Sequence, residues 1–208
     1  MPRLNHLRLS SAFLVAAAFA AYPSETTHSE HCAAHASQKQ EGNAQYLRSV
    51  HQYPLPDVTL VDQNGRRVTL QAVLPSDMTV AMNFIFTTCT TICPVMSATF
   101  STVRGKLGSD VPGLRMVSIS IDPAHDRPAT LKMYANRFGA PPDWTFYTGS
   151  AEDIRSVMTA FGAFAGDKAN HRPITLLRPA QGKDWIRIEG FATADTIAGE
   201  LRGLRAEK

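Results

Sequence analysis

The chain has 208 residues, 44% hydrophobic and 19% charged, with a formal net charge of +3. This suits one globular domain with a sizeable core. Three cysteines are too few for a disulfide-stapled scaffold, and the charge balance leaves no basic patch for nucleic acid: without Arg3 and Arg8 the net charge is about +1.

The N-terminus, MPRLNHLRLSSAFLVAAAFAAYPS, has a basic start, an apolar run from Ala12 to Ala21 and a small-x-small pattern at Ala18-Phe19-Ala20. That is the layout of a secretory signal peptide over residues 1–21. The run is shorter than the roughly 20 residues of a spanning helix, so cleavage is the first reading and an uncleaved anchor the alternative. No Leu-x-x-Cys pattern precedes Cys32, which disfavours a lipid anchor. The mature protein is expected outside the cytoplasm, in a periplasmic or membrane-attached setting where an oxidised dithiol persists.

Residues 22–50 are polar with little periodicity and read as a flexible tail ahead of a domain spanning 51–208. The tail contains HSEHCAAH, with His28, His31, Cys32 and His35 spaced so that a flexible chain could wrap one metal. The alternatives are a polar linker with incidental histidines, or an intermolecular disulfide through Cys32.

The domain opens with VTLVD and RRVTL on either side of Gln63-Asn64-Gly65, a hairpin signal in which both Asn and Gly tolerate positive φ. TVAMNFIF (79–86) is almost continuously apolar and reads as a central strand covered on both faces. It runs directly into CTTICP (89–94). PVMSATFSTVRGKLG follows as a helix with Val95, Phe100, Val103 and Leu107 among its apolar positions. LRMVSISID is a second buried strand. PAHDRPATLKMYANRFG leads into a helix with Leu131, Met133, Tyr134 and Phe138 near helical spacing and Gly139 as a stop. WTFYTG is a third strand. SAEDIRSVMTAFGAF is a helix whose Ser150–Asp153 spacing suits an N-terminal capping box. ITLLRP and WIRIEGF form a terminal hairpin across AQGKD, and ATADTIAGELRGL closes as a helix.

The order is hairpin, β, α, β, α, β, α, β, β, α. It gives an α/β fold, a central mixed sheet flanked by helices, with an extra N-terminal β-hairpin. A β-α-β unit followed by a strand, a hairpin and a final helix is the thioredoxin-like layout. There the dithiol sits between the first core strand and the next helix, where Cys89 and Cys93 fall. A thiol at a helix N-terminus meets free backbone N–H groups and the positive dipole end, which favour the thiolate. The thiolate is both the nucleophile of disulfide exchange and a soft-metal ligand, so position alone does not separate redox from metal chemistry. Three intervening residues, one more than the usual dithiol oxidoreductase pair, lean towards metal. Cα atoms one helical turn apart still allow a disulfide, for which about 6.8 Å is the limit. A purely structural disulfide gains little from so short a loop.

A metal needs further donors. His171 stands just before ITLL, and in a thioredoxin-like layout that loop lies against the dithiol. Two thiolates and one imidazole suit Cu(I), and a fourth weak ligand would admit Cu(II). His125 reads as a loop-capping or surface residue. Asp122, in Asp122-Pro123 at the end of the second buried strand, can cap the following loop or shape the rim of the site.

CTTICP (89–94), VSISIDPAHDRPATLKMYANRFG (117–139), LVDQNGRRVTL (60–70) and His171 together resemble the SCO/SenC family of thioredoxin-like copper proteins for cytochrome c oxidase assembly, over about residues 53–204. The resemblance implies that Cys89, Cys93 and His171 ligate copper, that Asp122 helps to order the site, and that the partner is the copper-site subunit of a haem–copper oxidase or another copper chaperone. It implies a monomeric copper carrier rather than an enzyme. The alternative is a thiol–disulfide oxidoreductase that keeps copper-site cysteines reduced through Cys89 and Cys93. Two departures keep that alternative open: Thr91 stands where many members carry an acidic residue, and FTT precedes Cys89 in place of an aromatic or glycine-containing form. Pro173 is similar to the proline, often cis, that precedes the corresponding thioredoxin strand and leaves a backbone edge open to a substrate chain.

Overall fold

A computed structural model describes residues 46–206. The signal-peptide reading of residues 1–21, residues 22–45 of the expected tail, and with them His28, His31, Cys32 and His35, lie outside the described residues. Among the described residues no helix is long and apolar enough to cross a membrane.

Eight strands form one mixed sheet in the order β1-β8-β7-β4-β5-β6-β2-β3. Its centre is β4 (Thr79–Ile85), parallel to β5 (Leu114–Ser120), which is in turn parallel to β6 (Trp144–Gly149). On the other side β4 pairs antiparallel with β7 (Ile174–Arg178), the first strand of the terminal hairpin with β8 (Asp184–Gly190). Every residue of β4 is buried, because helices cover both faces. Ala81 and Ile85 point into a core closed by α2 (Ile92–Leu107), α3 (Pro128–Arg137) and α5 (Ala194–Ala206). Val80, Met82 and Phe84 point into a second core closed by the short α1 (Leu70–Val73) and by α4 (Ala151–Ala160). The period-2 alternation of a strand therefore fills two cores from one apolar run.

The expected hairpin is β2 (Thr59–Asp62) with β3 (Arg67–Thr69), attached through β2 to β6. Only Gly65 of its turn has positive φ, at 85°. The Asp62 side chain fixes the turn instead, accepting from the N–H groups of Asn64 and Arg66 at 2.8 and 2.9 Å. The capping box is present: Ser150 Oγ accepts from the Asp153 N–H at 3.0 Å.

Three details depart from the sequence reading. The first is β1 (Tyr46–Gln52), which begins inside the stretch read as tail up to residue 50 and pairs along its length with β8. Its side chains are mostly polar, and backbone pairing holds it, together with the two-point contact of Arg48 with Glu200 on α5, the Gln52–Asp184 hydrogen bond and Tyr46 packed against the core. Second, Val95 and Met133 are 49% and 67% exposed, off the buried stripes of α2 and α3. Third, no cis peptide occurs among the described residues, and the Pro173 carbonyl accepts from the Gly190 N–H at 2.9 Å, which extends the terminal hairpin by one bond.

Candidate metal and dithiol site

The chain leaves the sheet at Ile85, turns through residues 86–91 and enters α2 at Ile92. The turn is closed by the Cys89 N–H donating to the Phe86 carbonyl at 3.2 Å. Thr91, at the N-cap, makes no side-chain capping bond. The Cys89 sulfur takes that role: the Cys93 N–H, in the first turn of the helix, donates to Cys89 Sγ at 3.4 Å, and Thr91 Oγ1 lies 3.7 Å away. An orphan donor of the helix N-terminus is thus spent on sulfur, where the helix dipole also favours negative charge.

Both cysteines are free thiols and both are buried, Cys93 completely. Their acidities diverge. Burial pushes the Cys89 thiol up, but hydrogen bonds from the backbone of Cys93 and Thr91 and from their side chains outweigh it, and the net result is below the ordinary thiol value. Burial pushes Cys93 far up, with the adjacent Cys89 sulfur and the charge of Asp126 adding to it against a hydrogen bond with the Phe86 backbone. Cys89 is therefore the first thiolate and Cys93 the proton holder. Below them the Tyr134 hydroxyl pairs with Ser97 Oγ at 3.1 Å. Burial raises that phenol to about 12; the Ser97 bond opposes the rise, and negative charge on Cys93 and Cys89 adds to it.

His171 ends a 3₁₀ turn at Lys168–Asn170 and is 7% exposed. Burial holds its imidazole below the ordinary histidine value, opposed by a hydrogen bond to Phe84. In the neutral ring the Nε2–H donates to the Phe84 carbonyl at 3.0 Å, which leaves the lone pair on Nδ1. Nδ1 is buried and has no hydrogen-bond partner. Phe86, packed against the core that contains both cysteines, also meets the His171 ring at 6.2 Å and 71°. Among the described residues, however, no three His, Cys, Asp or Glu side chains converge as a ligand set. The structure brings Cys89 and Cys93 together, places His171 against Phe86 beside them, and does not complete a three-donor set among the described residues.

Asp122 caps no helix with its side chain. One carboxylate oxygen pairs with Lys168 Nζ at 2.5 Å, the other with His125 Nδ1 at 3.0 Å, so Asp122 ties the His171 loop to the end of β5. Burial alone would raise its pKa; Lys168 and His125 reverse this and hold it below the usual carboxylate value. His125 is an exposed rim residue, as its position suggested.

Asp126 escaped the sequence reading. It is fully buried and accepts from the Thr87 N–H at 3.0 Å, from the Thr87 hydroxyl and from Ser120 Oγ at 2.5 Å. It locks the turn before Cys89 to the exit of β5. The only signal was two aspartates four residues apart after a buried strand, and a second aspartate in a polar loop reads as solvated. Lys168 was missed for the same reason.

The sequence profile of the SCO1/SenC family matches residues 52–203. A SCO1 protein homologue of Bacillus subtilis (strain 168) is 34% identical over 109 residues, 52% of this chain and 55% of that protein; the chain thus spans about half the length of the curated relatives it matches. BsSco, described as a member of the Sco family of cytochrome c oxidase assembly proteins with a disulfide switch, superposes with a TM-score of 0.64 at 28% identity, covering 76% of this chain and 96% of that one. Copper-bound ScoI of Bradyrhizobium japonicum gives 0.59 at 25% identity, covering 72% and 98%. These folds share the central mixed sheet and flanking helices of the thioredoxin-like layout.

Proposed function

Since the chain belongs to the SCO1/SenC family, we propose that it carries copper to a haem–copper oxidase, holding the ion through Cys89, Cys93 and His171. The observation that carries this reading is the buried, unpartnered Nδ1 of a neutral His171. A buried polar atom without a partner costs roughly 1–3 kcal/mol, a cost that metal ligation relieves. The Phe84 carbonyl selects the tautomer, as a carbonyl partner does for metal-bound histidines generally.

The cargo is copper, a soft ion as Cu(I) that thiolates select. Cys89, already the more acidic thiol, meets it first. Bound positive charge then favours loss of the proton from Cys93, whose acidity is suppressed mainly by burial. The thiol protons leave to solvent as the ion is taken up, so capture strengthens with rising pH. His171 supplies nitrogen through Nδ1 and makes Cu(II) acceptable as well. We place the protein outside the cytoplasm, delivered by residues 1–21, with His28, His31, Cys32 and His35 as an auxiliary copper-capturing segment.

The test is a copper titration of the full chain. One Cu(I) per chain is expected beyond anything residues 28–35 hold, with His171→Ala sharply weakening Cu(II) and altering its sulfur-to-copper charge-transfer band. An unchanged Cu(II) affinity and spectrum in His171→Ala would remove His171 from the ligand set.

One observation favours a second reading. The divergent acidities of Cys89 and Cys93 are those of an attacking and a resolving thiol. The Cys89 thiolate would attack a partner disulfide, releasing one partner thiolate and forming a mixed disulfide. Cys93 would then close the Cys89–Cys93 disulfide, and the partner would leave with two electrons and two protons gained. A Cys93→Ser variant that accumulates no mixed disulfide with a disulfide-bonded copper-site peptide would reject it.

A further inference from the structure

We propose that Lys168 is a positioning residue that parks His171 away from the cysteine pair, so that removing its charge makes the imidazole easier to recruit. The inference rests on the reading of His171 as a copper ligand. Lys168 joins three parts of the site. Its ammonium lies 2.5 Å from Asp122 Oδ2 at the exit of β5 and 5.6 Å over the Phe86 ring at the exit of β4. Its main-chain carbonyl accepts the His171 N–H at 3.1 Å. One side chain thereby fixes the loop that carries His171 to both strand ends flanking the dithiol.

The rest of that loop is loosely filled. Phe164 is 50% exposed, and a cavity of about 60 Å³ lies among Ile121, Met158, Phe164, Lys168 and His171. This side of the loop therefore has room to shift, although His171 itself is buried. His171 is held by the Phe84 carbonyl, the Phe86 ring and the Lys168 attachment, with the adjacent Arg172 paired to Glu189. Since the three donors do not form a ligand set among the described residues, ligation on this reading requires the His171 loop and the cysteine turn to close on one another, and every contact that holds the loop in its present place lowers the apparent affinity for copper. Lys168 is 39% exposed, so solvent screens its pair with Asp122, and such pairs shift an equilibrium by no more than about fivefold.

Lys168→Met keeps an apolar stem against Phe86 and removes the charge; Lys168→Arg keeps the charge. In the full chain, with aqueous Cu(II) titrated against a competing chelator, Lys168→Met is expected to tighten binding about threefold. Lys168→Arg should match the parent, and Lys168→Met should have no effect in a His171→Ala background. Urea unfolding of each variant checks that the fold is intact. Weakened or unchanged Cu(II) affinity in Lys168→Met, alongside a His171→Ala variant that does lose affinity, overturns the positioning role alone. A His171→Ala variant with parent affinity overturns the ligand reading and this inference with it. A threefold gain that persists in the His171→Ala background also overturns it, because Lys168 would then act on the cation directly.

Discussion

Replacing Asp126 with Ala tests what holds the dithiol turn. The carboxylate is fully buried and accepts three hydrogen bonds, two from Thr87 and one from Ser120. Each donor left buried without an acceptor costs roughly 1–3 kcal/mol. The Thr87 hydroxyl, on a half-buried residue, can turn to water and loses little. The Thr87 N–H cannot turn away, and Ser120 is wholly buried, so two donors bear the loss. Removing a desolvated charge gives part of this back. The expected net loss is about 2–4 kcal/mol, a large share of a domain stability of about 5–15 kcal/mol. Asp126→Asn keeps one acceptor oxygen and should lose about half as much. Urea unfolding of the reduced protein measures the loss, and iodoacetamide labelling of Cys89 in the native state reports the turn itself, with labelling several-fold faster expected in Asp126→Ala. A loss below about 1 kcal/mol would show that the carboxylate is not a structural acceptor. A full loss with unchanged Cys89 labelling would show that it braces the β5 exit and not the dithiol turn.

Alkylation of the reduced protein against pH should modify Cys89 first, with a midpoint below that of an ordinary thiol, while Cys93 stays silent until strongly alkaline pH; prior labelling of Cys93, read by peptide mass, contradicts the assigned roles. His171 has a depressed folded pKa, so its neutral form contributes stability that is present above the unfolded value of about 6.5 and lost as pH falls through the folded value. His171→Gln should therefore flatten the fall in stability between pH 7.5 and 5, and unfolding curves with parallel pH slopes would refute the assignment. Asp122, also depressed, contributes stability in a separate window, present above its unfolded value of about 3.9 and lost at lower pH; Asp122→Asn should remove that acid-side slope.

The layered fold was readable because its strands are apolar enough to have one solution. TVAMNFIF, short, apolar and β-prone, reads as a strand buried on both sides, and the structure places Thr79–Ile85 there. The helices were legible in existence and less so in facing. Cys93, Ser97, Phe100, Val103 and Leu107 form the buried stripe of α2, and Val95 belongs to no such spacing, so period counting alone would have set it aside. β1 was not legible, because Arg48, Ser49, His51 and Gln52 carry no alternation; the strand exists through pairing with β8, a contact formed across more than a hundred residues of chain. Asp126 and Lys168 were illegible for a related reason. Each is an ordinary loop charge until tertiary closure brings Thr87 and Ser120 to one and Asp122 and Phe86 to the other.

The same distinction applies within the site. Residue type suggested the donors of the proposed site, since thiols at a helix N-terminus and a histidine before the terminal hairpin are suitable soft-metal donors, although the same thiols serve disulfide exchange equally. Sequence could not give their separation, which is set by the loop attachments of Asp122 and Asp126. On the reading proposed here that separation matters to a carrier. Cys89 in the turn and Cys93 in the first turn of α2 capture the ion, while the imidazole, oriented by the Phe84 carbonyl on the loop that Lys168 ties to Asp122, joins only as that loop shifts. A site with all three donors preformed would bind more tightly and release more slowly. Returning the His171 loop to its Lys168–Asp122 attachment offsets part of the loss of the metal bond, so the contact that weakens capture also favours release.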